Sequence, residues 1–196
     1  VIKLVLGTVL ALGMSIDTLK AAGYPEKPIT MILPLGAGGS HDRNARVFTS
    51  VIPEFLGNAI IVKLMPGASG QVGTAAAARS KPDGYTLIFT HNYYDQLQKH
   101  VKKLPYNTDK DFVTVGKLNS GSFSVIVRAD SPFKTWGQLV AYAKKNPGKL
   151  KFAHSGNWGA THAPALQLFT EAGIVKNIVM VPYKGGGPSL RGFLAK

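Results

Sequence analysis

The sequence predicts an α/β protein made of two lobes, and three observations support this fold class. Short apolar or β-branched runs alternate with segments whose apolar residues recur at helical spacing. Glycine-rich stretches connect a predicted strand to the next predicted helix at three places. The alternation lapses over residues 91–112, which are polar and mixed, and restarts after about residue 120. We therefore expect a first lobe over residues 24–120 and a second over residues 121–196.

The composition limits the possible classes before any motif is considered. The chain has 196 residues, of which 45% are hydrophobic, so it is too apolar to be disordered. It has no cysteine, which excludes disulfide scaffolds, thiolate zinc sites and cysteine nucleophiles. Its net charge is +13, but the lysines are scattered and the basic clusters typical of nucleic-acid binders are missing. The charge favours small anionic partners, and we expect no nucleic acid.

Residues 1–23 are predicted to be a signal peptide rather than part of the fold. The apolar run from Leu4 to Leu12 suits a secretory h-region and is shorter than a membrane span. Small residues at Ala21 and Gly23 suit cleavage before Tyr24. The alternatives are an apolar core helix or a short membrane anchor. We expect export, with removal of the peptide and a periplasmic mature protein.

In the first lobe, proline and glycine mark the boundaries of each element. Residues 28–34 form an apolar run with a proline at each end, which indicates a buried strand. A helix with apolar residues from Ala45 to Phe55 follows, capped by Ser40 or Asp42. The later elements are predicted as a strand over 59–64, a helix over 74–79, and strands over 86–90 and 113–116.

In the second lobe the same signals recur over a shorter length. The elements are predicted as a strand over 123–127, a helix opened by Thr135 and ended at 146–148, a strand over 150–153, a helix over 164–172, a strand over 178–182 and a helix from Pro188. About 75 residues are fewer than a typical domain contains, so we expect this lobe to be incomplete in the chain.

Three glycine-rich loops at strand ends are the candidate binding elements. The first, residues 36–42, leads into a helix whose free backbone N–H groups suit a small anion. It lacks a dinucleotide fingerprint because His41 stands where the third glycine is needed. Residues 155–162 and 183–189 have the same character, and ligands of open α/β sheets bind outside the carboxyl ends of the strands. The alternative is that these are tight turns without a ligand.

The signals for an enzyme or a metal site are weaker. No Gly-x-Ser-x-Gly elbow is present, and the five histidines lack metal-ligand spacing. His154 and His162 are the pair that zinc would use, but loop histidines are more often hydrogen-bonded or solvated. We expect no catalytic residue, no metal and no cofactor. The alternatives are a small α/β enzyme acting on an anion through His41 or His162, and a remnant that closes no cleft.

Many short motifs, in order, resemble those of one family. They cover residues 24–196 and include the segments 24–29, 34–46, 66–70, 82–87, 104–106, 109–112, 146–150, 155–157, 161–162 and 181–185. The chain resembles the Bug family, the periplasmic substrate-binding proteins of tripartite tricarboxylate transporters. The resemblance implies a two-lobed Venus-flytrap fold with the second lobe incomplete. It also implies a receptor, not an enzyme, that captures a small carboxylate, acts as a monomer and delivers its ligand to the permease subunits.

The resemblance also implies which residues contact the ligand. From the first lobe these are Gly36, Gly38, Gly39, Ser40, His41, Asp42, Thr90, His91 and Asn92. From the second lobe they are Ser155, Gly156, Asn157, Trp158, Thr161, His162, Lys184 and Gly185. N–H groups, hydroxyls and a cation are what a carboxylate accepts hydrogen bonds from.

Two departures from the family pattern bear on the ligand. His41 and Trp158 stand where the family usually has small residues. With Tyr93 and Tyr94 close to the first-lobe site, they suggest a larger carboxylate, aromatic or a dicarboxylate. The alternative is that these rings cover the core or the lobe interface.

Overall fold

The computed structural model describes residues 23–91 and 97–195, and within them five strands form two parallel sheets. The strands are β1 (Ile29–Leu33), β2 (Ile60–Leu64), β3 (Thr86–Ile88), β4 (Leu150–His154) and β5 (Ile178–Pro182). The helices are α1 (Ser40–Val51), α2 (Pro53–Leu56), α3 (Gln71–Ala78), α4 (Gln98–Val101), α5 (Trp136–Lys145), α6 (His162–Glu171) and α7 (Gly186–Leu194). Short 3-10 turns precede α3 and β5.

The first sheet has the order β2-β1-β3, with β1 in the centre and parallel to both neighbours. Because β1 is covered on both faces, its run of isoleucine, methionine and leucine is almost fully buried. Ile29 and Met31 pack with Ala45 of α1, which has no exposed surface. The parallel arrangement brings the carboxyl ends of all three strands to one edge of the sheet.

The second sheet consists of β4 and β5, paired in parallel from Leu150 opposite Ile178 to His154 opposite Pro182. Its core is formed by residues of α5 and α6, with Phe169 1% exposed. Thr135 starts α5 with a full capping box: its hydroxyl accepts the Gln138 N–H, and the Gln138 side chain accepts the Thr135 N–H. The sequence prediction of this helix start is confirmed.

Two predicted strands were wrong. Residues 113–116 and 123–127 have strand-like composition, but the structure has no strand at either place. Val113 is 91% exposed and Val115 is 86% exposed. A strand requires a neighbour that accepts and donates its backbone hydrogen bonds, and no other described segment pairs with these residues.

Details of the first helical region also differ from the prediction. The helix predicted through Phe55 is divided, because Pro53 starts a separate short helix, α2. Neither Ser40 nor Asp42 caps α1: the N-cap is Gly39, and no side chain supplies a capping hydrogen bond. Helix α4 lies in a segment for which the sequence predicted no element.

Within the described ranges, no helix is long and apolar enough to cross a membrane. The predicted signal peptide lies almost entirely outside the described residues. The division into lobes at residue 120 remains a prediction, and it separates the three-stranded sheet from the two-stranded one.

Candidate functional site

The loops that follow β1 and β5 meet directly, which joins the two lobes. We call these the β1 loop (residues 34–39) and the β5 loop (residues 183–185). Gly36 of the β1 loop donates its backbone N–H to the carbonyl oxygen of Lys184 at 2.8 Å. Both loops lie at the carboxyl ends of their strands, where ligands of parallel sheets bind.

Glycine is required on both sides of this contact. A Cβ at Gly36 would lie 2.6 Å from the Lys184 carbonyl oxygen. A Cβ at Gly187 would collide with the Ala37 carbonyl oxygen and lie 2.7 Å from the Gly38 carbonyl carbon. Gly185 adopts φ +121°, a conformation that other residues rarely take. The first turn of α7 therefore rests directly on the backbone of the β1 loop.

This contact brings two helix N-termini together. Helix α1 starts beside Gly39, and a Cβ at Gly39 would lie 3.1 Å from the Gly187 nitrogen of α7. The N-caps of both helices, Gly39 and Gly185, are glycines without a capping side chain. The first N–H groups of a helix have no acceptor within the helix, and they carry its positive partial charge. Two such ends at one place form an environment suited to an anion.

The carboxylate of Asp42, in the first turn of α1, is already engaged inside the first lobe. One oxygen accepts the Gly38 N–H at 2.9 Å and the other accepts the Arg46 Nε–H at 2.9 Å. The side chain is 7% exposed. Asp42 was predicted among the ligand contacts, and its bonds show that it fixes the shape of the β1 loop.

A second contact between the lobes runs through Gln98, a residue that carries no functional signal in the sequence. Its side-chain amide donates to the Ser69 carbonyl at 3.0 Å and to the Asn157 carbonyl at 3.5 Å. Its oxygen accepts a hydrogen bond from the Gln71 side chain at 3.3 Å. Gln98 is fully buried. It connects the loop after β2 with the loop after β4 (residues 155–161, the β4 loop).

Two hydroxyls hold the β4 loop closed on itself. The Thr161 hydroxyl oxygen accepts the Ser155 backbone N–H at 2.9 Å and lies 2.8 Å from the Ser155 hydroxyl. Only one of the two hydroxyls can donate within that pair, so the proton of the other is available for a ligand. The buried Gly156, at φ +129°, approaches Ser69 of the first lobe.

His154 and His162 form a buried pair beneath the β4 loop, with their rings tilted by 31° to each other. Their ring centroids are 4.4 Å apart, and they are 1% and 7% exposed. The Nδ1 atom of His154 accepts the Gly156 N–H at 3.4 Å, and that of His162 accepts the Trp158 N–H at 3.0 Å. Burial lowers the pKa of both, and the neighbouring His162 helps to bring that of His154 to about 4.

These bonds argue against zinc at the histidine pair. An Nδ1 that accepts an N–H has no proton, so the neutral ring has its proton on Nε2 and that atom has no lone pair for a metal. No group of three or more histidine, aspartate or glutamate side chains in the described part of the chain is placed to hold a metal ion. The Nε2–H of His154 is instead a buried donor without a hydrogen-bond partner among the described residues.

A second histidine pair lies at the carboxyl edge of the first sheet. His41, the second residue of α1, has its ring 4.9 Å from that of His91. Burial lowers the pKa of His41, while burial and the charge of His41 lower the pKa of His91 to about 3. The adjacent Thr90 has a buried hydroxyl without a hydrogen-bond partner among the described residues. Both histidines are thus neutral at pH 7.

The remaining predicted contacts have mixed positions. Trp158 adopts φ +59°, and its ring packs edge-on against His162, with the centroids 5.6 Å apart. Lys184, Asn157 and Ser40 are exposed. Asn92 lies outside the described residues, as do Tyr93 and Tyr94. The junction formed by the strand-end loops thus contains backbone N–H groups, hydroxyls and neutral imidazoles.

A cavity of about 450 Å³ in the second lobe has a different character. Its lining is mainly apolar and includes Val127, Phe152 and Phe169. Arg128 borders this cavity, but its guanidinium is already paired: Nε lies 3.0 Å from a carboxylate oxygen of Asp130. The junction between the lobes is therefore the better candidate for an anion.

Comparisons with known proteins identify the family of the chain. Residues 44–196 match the family model described as "Tripartite tricarboxylate transporter family receptor". The chain is 34% identical over 181 residues to the UPF0065 protein of the gbd 5' region of Cupriavidus necator, covering 89% of this chain and 53% of that protein. The chain thus spans about half the length of this curated relative.

Two solved structures show the same fold. Periplasmic binding protein BugD is 30% identical with a TM-score of 0.76, covering 88% of this chain and 57% of that one. MatC from Rhodopseudomonas palustris, solved with bound malate, is 28% identical with a TM-score of 0.78, and the match covers 88% of this chain and 58% of that one. The predicted two-lobed binding-protein fold, with the second lobe incomplete in this chain, is confirmed, as is the prediction of a solute-binding protein rather than an enzyme. The chain belongs to the tripartite tricarboxylate transporter receptor family, the Bug-type solute-binding proteins.

Proposed function

We propose that this chain is part of an extracytoplasmic receptor that binds a small carboxylate where its two lobes meet. The observation that carries the proposal is the meeting of the α1 and α7 N-termini through the β1 loop. Helix α1 belongs to the first lobe and α7 to the second. A carboxylate held by the N–H groups of both helices therefore stabilises the form in which the two lobes are in contact. The malate-bound relative supports the same ligand class.

The residues around this point have the chemistry of carboxylate recognition. The free hydroxyl proton of the Ser155 and Thr161 pair and the buried Thr90 hydroxyl are neutral donors. The lowered pKa values of His41 and His91 leave those rings neutral, so the binding energy comes from dipoles and hydrogen bonds more than from imidazolium charge. We assign the predicted ligand contacts that lie among the described residues to this junction, except that Asp42 acts through the β1 loop.

In the cell, this receptor would be periplasmic, act as a monomer and present its ligand to the permease subunits of a tripartite tricarboxylate transporter. The joined form of the lobes is the state that a permease distinguishes from the empty one. Trp158 packs against His162, which favours a role in shaping the loop over stacking on an aromatic ligand.

A thermal-shift screen tests the proposal. The purified chain is heated with malate, succinate, adipate, citrate, benzoate or butyrate, each at several concentrations. An acid present at 100 times its dissociation constant stabilises the folded state by about 2.7 kcal/mol. We expect a rise in melting temperature with at least one carboxylate and none with its amide. A chain that melts cooperatively but responds to no carboxylate would contradict the proposal.

A further inference from the structure

Arg191 lies on α7 and reaches the β1 loop of the other lobe. Its Nη1 atom is 3.3 Å from the position that a Cβ would take at Gly38. The first turn of α7 rests on the same loop, so Arg191 is about one helical turn, or roughly 6 Å, along the helix from the N–H groups at Gly187. Helical side chains lean towards the N-terminus, so the guanidinium extends back towards the N–H groups of that turn.

This guanidinium has no protein partner among the described residues. The three ion pairs among the described residues use Arg46, Lys99 and Arg128 as their cations, not Arg191. The carboxylate of Asp42, in the first turn of α1, has both of its oxygens bonded to other groups, Gly38 and Arg46. Arg191 is exposed, so an incoming ligand can reach it. A permanent cation therefore stands beside the anion site without a counter-ion from residues 23–91 or 97–195.

We propose that Arg191 selects ligands with two carboxylate groups, binding the second group while the N-termini of α1 and α7 bind the first. This inference rests on the proposed function, because it assumes that the first carboxylate occupies the junction. A guanidinium holds a carboxylate in a two-point, charge-assisted hydrogen bond. Because the Arg191 guanidinium and the first turn of α7 both border Gly38, the two binding groups lie close enough for two carboxylates joined by a few carbon atoms.

The test compares matched acids on matched variants. Dissociation constants are measured by calorimetry for succinate against butyrate and for adipate against hexanoate. The variants are Arg191→Gln, Arg191→Lys and the control Arg79→Gln, which removes the same charge at the C-terminal end of α3. Each is first checked for an unchanged melting temperature without ligand.

We expect Arg191→Gln to weaken the dicarboxylates by about tenfold to a hundredfold and the monocarboxylates by less than about threefold. Arg191→Lys should be intermediate, because lysine keeps the charge but loses the two-point geometry. Arg79→Gln should bind as the wild type does. Equal losses for both acid classes, or no loss of dicarboxylate affinity, would overturn the role of Arg191 while leaving the proposed function intact. A wild-type chain that binds no carboxylate would overturn both.

Discussion

Replacing Gly187 by alanine tests the contact that joins the two lobes. The new Cβ would collide with the Ala37 carbonyl oxygen and lie 2.7 and 2.8 Å from the Gly38 carbonyl carbon and the Gly39 nitrogen. These are backbone atoms, which cannot rotate away as a side chain can. Overpacking of this kind costs about 1–3 kcal/mol. Because the clash exists only when α7 rests on the β1 loop, we expect the cost to fall on ligand binding.

The neighbouring residue provides a matched control. Gly186 lies in the same turn of α7, and a new Cβ there would lie 4.0 Å from the Gly39 Cα, with no closer neighbour among the described residues. Gly186→Ala therefore changes helix propensity in the same way without the clash. Measured by calorimetry with the best acid from the screen, Gly187→Ala should bind about 5- to 150-fold more weakly, and Gly186→Ala should be within about twofold of wild type. Equal affinities of the two variants would refute the reasoning.

Two further predictions concern stability. Thr135→Ala removes the capping box of α5 and should lower the free energy of unfolding, measured in urea titrations, by about 1 kcal/mol. Thr135→Ser keeps the hydroxyl and should retain most of the wild-type stability. An alanine variant as stable as the wild type would contradict a stabilising role of this cap. The pKa of His154 is about 4 when folded, below the ordinary value of 6.5, so the unfolded chain binds more protons between these values. Stability should therefore be fully present above pH 6.5 and fall as the pH drops towards 4, by up to about 3 kcal/mol from this residue. His154→Phe should have a shallower loss than wild type between pH 7 and pH 4.5, since His41, His91 and His162 still contribute; an unchanged slope would contradict a buried neutral His154.

The elements that could be predicted from sequence are those with strong local signals. The strand at Ile29–Leu33 has proline on both sides, and α5 begins at a threonine with glutamine three residues later. Residues 113–116 have similar local composition, but strand formation depends on a pairing partner that composition does not reveal. The division of the first helix has a different cause, which is visible in the sequence: Pro53 outweighs the apolar periodicity and begins a new helix.

The candidate site was predictable to a similar degree. Glycine-rich loops at strand ends indicated the β1, β4 and β5 loops, because close backbone approach requires glycine. The contributions of Gln98 and Arg191 depend on residues far away in sequence: Gln98 bonds to Asn157, 59 positions away, and Arg191 reaches Gly38. Asp42 was predicted to contact the ligand, but its partners Gly38 and Arg46 become visible only in the folded chain.

The most direct test of the central claim is to locate the bound carboxylate by NMR. The chain is labelled with ¹⁵N-glycine and titrated with the acid that raises its melting temperature. We predict the largest amide shifts at Gly39, Gly186 and Gly187, where the two helix N-termini meet. Gly148 and Gly173, where a Cβ would meet no described atom within 4 Å, should be unchanged and serve as internal controls. Saturating shifts elsewhere, with the junction glycines unmoved, would contradict the account.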